Sequence, residues 1–93
     1  MSVAATAVPL TGAGQVVQVG PATYRGYSVR ATTAAVVRIW DNPASAAGTM
    51  LDTIALAANA SASAWYDGGG IRAGTGVYVE VVSGTVEGSV RIG

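Results

Sequence analysis

Residues 23–41 read TYRGYSVRATTAAVVRIWD. Two runs rich in β-branched and aromatic side chains, Tyr24 to Ala31 and Val36 to Trp40, flank a short Thr32-Thr33-Ala34-Ala35 connection. That spacing predicts a β-hairpin with a four- or five-residue loop. Alternation in the first run puts Tyr24, Gly26, Ser28 and Arg30 on one face. Arg25, Tyr27, Val29 and Ala31 fall on the other and read as the core face, with Arg25 escaping at its end. In the second run Val37 and Ile39 oppose Val36, Arg38 and Trp40, and Asp41-Asn42-Pro43 ends it.

The flanking segments have the same character. Gln15 to Val19 reads as a strand closed by Gly20-Pro21. Met50 to Ala58 suits either a helix capped by Asp52 or an alternating strand. The β character of its surroundings selects the strand. Ala62 to Tyr66 is a short strand after the Asn59-Ala60-Ser61 turn. Val77 to Val82 and Thr85 to Ile92, joined at Ser83-Gly84, read as a second hairpin with Val86, Gly88, Val90 and Ile92 inward. Seven to eight short strands predict an all-β fold, a small antiparallel β-sandwich with the jelly roll as one form of it. Residues 13–93 make the single domain, and residues 1–12 an extended N-terminal arm or edge strand.

Composition bounds the function. A chain of 9.2 kDa exposes about 4,900 Å² folded against about 13,300 Å² unfolded, so it buries about 63% of its surface. With no phenylalanine among its 93 residues, the core is thin, and association would add stability. Five arginines balance five acids without any basic cluster, which gives no footprint for nucleic acid. The apolar N-terminus lacks a charged flank, and its runs are too short to cross a bilayer, so no membrane anchor is read.

Chemistry is sparse. Without His or Cys there is no Ser-His-Asp triad, no Cys-His pair and no ordinary zinc site. Asp41, Asp52, Asp67, Glu80 and Glu87 leave a catalytic carboxylate pair formally open, but five acids in a domain this size are ordinarily solvated or paired with arginine. Asp67 before three glycines reads as a turn rather than a calcium loop, because the alternating acidic ligands are missing. Gly12-Ala13-Gly14 lacks the third glycine and the helix of a dinucleotide fingerprint. Asn59-Ala60-Ser61 matches a glycosylation sequon, a pattern common by chance. No cofactor and no metal are expected, and the chain reads as no enzyme.

What remains are contact surfaces. Trp65 and Tyr66 are adjacent, so in a strand one faces the core and the other solvent or a partner. Trp40 is a further exposed candidate. Val3, Val8, Pro9 and Leu10 give the arm an apolar surface ahead of the Gly12–Gly14 joint.

The order Gly20-Pro21-Ala22, Tyr27-Ser28-Val29, Val37-Arg38-Ile39-Trp40-Asp41, Thr53-Ile54-Ala55-Leu56, Trp65-Tyr66, Gly70-Ile71, Gly76-Val77-Tyr78-Val79 and Gly84-Thr85-Val86-Glu87-Gly88-Ser89-Val90 resembles small virion proteins encoded among the structural genes of tailed bacteriophages. The similarity spans nearly the whole chain from about Gly14. It rests on strands and glycine turns, so no site residue carries over. The resemblance implies a capsid decoration protein, commonly a trimeric β-rich knob over capsomer junctions, made in the host cytoplasm and located on the virion surface. Its partners would be further copies of itself and the major capsid protein. The rival readings are a carbohydrate-binding or adhesion module with Trp40, Trp65 and Tyr66 as its platform, and a tail or fibre component.

Overall fold

The computed structural model describes residues 6–66 and 70–93. Among them are nine strands and no helix: β1 Thr6–Pro9, β2 Gln15–Val19, β3 Ala22–Ala31, β4 Ala35–Asp41, β5 Thr49–Leu56, β6 Ser61–Trp65, β7 Ile71–Ala73, β8 Gly76–Ser83 and β9 Val86–Ile92. The ambiguous segment after Thr49 is a strand, as its surroundings required. β1 and the three-residue β7 raise the expected seven or eight to nine.

The strands form two antiparallel sheets packed face to face. One runs β1-β9-β3-β6, with β7 also pairing β3, and the other runs β2-β8-β4-β5. This order is that of a jelly roll, a long hairpin rolled up on itself. Its tip is the turn after Asp41, and pairing proceeds outward from there: Trp40 faces Met50, Gly26 faces Trp65, Val16 faces Tyr78 and Val8 faces Val90. Rolling then brings β3 against β9 and β4 against β8.

Two expected hairpins are therefore arches between sheets. β3 and β4 do not pair with each other, and neither do β8 and β9. An arch and a hairpin carry the same alternation and the same turn residues, so local pattern does not separate them. Here the two arches bind one another: the Thr32 N–H donates to the Thr85 carbonyl at 2.9 Å, and the Thr85 N–H donates to Thr33 Oγ1 at 2.9 Å. Gly84 (φ +77°) permits this contact, because a Cβ there would lie 2.1 Å from the Ala34 carbonyl oxygen. The true local hairpin is β4–β5.

The expected core face of β3 is correct at Val29 and Ala31 and wrong at its start. The ladder with β9 shifts between Tyr24 and Gly26, so Arg25 is the extra residue of a bulge. Tyr24 therefore turns inward and is fully buried, while Tyr27 packs at the margin of the core. Val37 and Ile39 point inward as expected, and so do Val86, Val90 and Ile92. Among the described residues valine is the commonest buried side chain, six of the thirteen, with isoleucine, alanine and Tyr24 completing the core.

Thr6–Pro9 is an edge strand of the five-stranded sheet, paired with β9. Val8 and Leu10 pack against the domain's own core, so their apolar surface is covered from within. An arm that could be removed without cost does not fit this arrangement. Deleting residues 1–11 should lower unfolding free energy by about 3 kcal/mol, the scale of two partly buried aliphatic side chains. Denaturant melts of the full and shortened chains check this, and unchanged melting would contradict it.

Candidate functional site

The most densely bonded polar side chain is Asp41, at the end of β4. Its carboxylate accepts the backbone N–H groups of Gly74 at 3.0 Å, Thr75 at 2.9 Å and Gly76 at 3.3 Å, and the Thr75 hydroxyl at 2.9 Å. These bonds, led by the Thr75 and Gly74 N–H groups, hold its pKa below the ordinary 3.8. The next residue, Asn42, accepts the N–H groups of Ala44 at 2.8 Å and Ser45 at 2.9 Å and donates to the Ala47 carbonyl. One residue thus fastens the tip of the rolled hairpin to the β7–β8 turn, and the next shapes the tip itself.

A second polar group sits between the sheets. Asp52 on β5 accepts the hydroxyls of Tyr24, at 3.1 Å, and of Tyr66, while the Thr53 N–H donates to its other oxygen at 2.9 Å. The two phenol rings lie 5.6 Å apart and tilted. Burial first, and then the Asp52 charge, raise the Tyr24 pKa far above its ordinary 10. Burial and the Asp52 hydrogen bond raise that of Tyr66. Burial and the same charge push Tyr27 upward. All three phenols stay neutral, and those of Tyr24 and Tyr66 act as donors to Asp52. The cluster ties one sheet to the other and presents no nucleophile.

The expected contact residues are scattered. Val3 lies outside the described residues, as does Asp67. Val8 and Leu10 face the core, and Pro9 is exposed on the edge opposite Ser89. Trp65 is 52% exposed on the outer face of the five-stranded sheet, in a row that reads Ala7, Arg91, Gly26, Trp65 across four strands. Tyr66 points the opposite way, into the core margin. Trp40 lies on the outer face of the four-stranded sheet, where its indole N–H donates to Glu80 at 3.1 Å. A platform of Trp40, Trp65 and Tyr66 is therefore not assembled.

Trp40 does have neighbours that the sequence does not reveal. Tyr78 stands beside it on β8 and Met50 on β5, and Val16 on β2 extends the row beyond Tyr78. Val16 and Met50 are each 43% exposed. Two residues along the strands runs a polar row in which Arg38 faces Glu80 at 4.0 Å and Thr53 follows. These residues meet only through long-range pairing, so spacing in the chain carries no sign of them. No cavity opens among the described residues, nor do they contain a group of three or more potential metal ligands. No family model, no curated protein and no solved structure matches this chain.

The Asp41 clamp makes a pH-dependent prediction. Its depressed pKa means that its contribution is fully present above the ordinary carboxylate value and fades as pH falls through the lower folded value. Asp41→Ala should cost about 1–2 kcal/mol at neutral pH, the scale of a lost side-chain cap. The gap between variant and wild type should narrow below about pH 4. Denaturant melts at several pH values measure it, and a gap that stays constant down to pH 2 would show that the carboxylate charge is not what holds the turn.

Proposed function

We propose that this chain is a non-enzymatic virion structural protein that decorates the outside of a phage head as a small symmetric oligomer. The observation that carries the reading is the jelly-roll order of its strands around an interior filled by side chains. A fold packed in this way acts through its surfaces, and capsid proteins are among the proteins built on it. Fold alone does not assign function. The resemblance of its strand and turn pattern to phage structural proteins supplies the rest.

The shell-facing surface we assign is the end of the sandwich that carries Trp65. Ala7, Arg91, Gly26 and Trp65 form a row there, and β1 begins beside it at Thr6. An exposed indole with an arginine in the same row, separated from it only by a glycine, has the composition of a contact hot spot. Many such ends on one shell would act together, so each contact can be weak.

Co-sedimentation tests the reading. Purified protein mixed with mature heads of the phage that encodes it should pellet in a fixed ratio to the major capsid protein. Trp65→Ser should weaken this binding about tenfold, equivalent to about 1.4 kcal/mol. Protein that stays in the supernatant at every concentration would refute a role on the shell.

A further inference from the structure

The outer face of the four-stranded sheet has a symmetry of composition that its strand order makes useful. Across β2, β8, β4 and β5 one row reads Val16, Tyr78, Trp40, Met50: an aliphatic side chain at each end and an aromatic pair at the centre. The adjacent row places Glu80 on β8 and Arg38 on β4, opposite charges on the same two central strands. We propose that this face is the contact between two copies of the chain, related by a two-fold axis that runs parallel to the strands between β4 and β8.

A half-turn about that axis exchanges β4 with β8 of the second copy and β2 with β5, and keeps every row at its own height. Tyr78 then meets Trp40 of the second copy, and Trp40 meets Tyr78. Val16 meets Met50, and Arg38 meets Glu80. Each contact occurs twice, as an isologous interface requires. Like meets like among the apolar side chains, and opposite signs meet among the charges. Within one chain the Arg38–Glu80 contact is 4.0 Å, too long for a hydrogen bond, so guanidinium donors remain for the second copy's carboxylate. The Trp40 N–H is already held by Glu80. That suits a dry aromatic contact better than a sugar platform, which needs polar groups turned outward.

The size suits a weak dimer. The four strands are five to eight residues long and at ordinary spacing and rise cover about 450 Å² per copy, or about 900 Å² for the pair, in the range of weak and transient interfaces. The area per copy is about a tenth of the 4735 Å² accessible surface. Because the axis follows the strands, both copies present the Trp65 end in the same direction. Such a face closes at two copies, where the resemblance implies three. The inference does not rest on the virion reading, since it concerns the purified protein alone.

A charge-exchange experiment tests it. Sedimentation equilibrium from micromolar to millimolar protein should show a monomer–dimer equilibrium. Arg38→Glu and Glu80→Arg, each alone, place like charges across the axis and should weaken self-association at least tenfold. Mixed in equal amounts, the two variants pair both acids with both arginines and should dimerise again. Independently, Trp65→Phe leaves Trp40 as the single indole, and its emission should shift to longer wavelength on dilution. A monomer throughout that range would overturn the proposal, and so would a trimer unaffected by either variant, or mixed variants that do not associate. A monomer whose Trp40 emission responds to an oligosaccharide would make the face a glycan platform instead.

Discussion

Everything in this fold depends on one constraint, that strands pair outward in nested order from a single turn at Asn42 to Gly48. The turn is specified locally by the Asn42 side chain, which accepts two backbone N–H groups and donates to a carbonyl. Once β4 and β5 are joined there, each earlier strand meets a later one about nearly the same midpoint of the chain. Rolling the long ribbon closes it into two sheets, and the apolar alternation decides which face goes inside.

The roll must be held at places where a thin aliphatic core cannot hold it alone. Asp41 secures the tip to the β7–β8 turn through backbone N–H groups, with its charge exposed enough to avoid a large desolvation cost. Asp52 joins the two sheets through tyrosine hydroxyls that burial keeps protonated. The arches at 32–34 and 84–85 bind each other at the opposite end. Three small polar ties thus fasten the sandwich at its ends, while valine and isoleucine fill the middle.

The sequence disclosed strands and faces far better than partners. Period-two patterns at Val37–Ile39 and Val86–Ile92 placed the right side chains inside, because burial acts on each strand separately. Pairing is a property of the whole roll, so the hairpins expected after Ala31 and after Ser83 are arches. Nothing in Tyr24-Arg25-Gly26 marks Arg25 as the extra residue of a bulge, so alternation alone puts Tyr24 on the outer face although it is buried. Trp40 and Trp65 stand out in the sequence as aromatic residues, yet only the topology puts them on the outer faces of different sheets. The row that gives Trp40 company, Val16, Tyr78 and Met50, comes from three strands far apart in the chain.

The surfaces follow from the same roll: the four-stranded sheet carries a flat apolar row beside a charged one, and the five-stranded sheet carries Trp65 near the end where β1 begins. Both assignments depend on the nested pairing, and backbone NMR tests that pairing most directly. Cross-strand NOEs should join Val29 to Gly88, Val37 to Ile54 and Val16 to Tyr78, with none between the backbones of β3 and β4, which lie in sheets about 10 Å apart. A ladder of NOEs linking Tyr24–Ala31 to Val36–Trp40 would restore the simple hairpin and contradict the rolled fold.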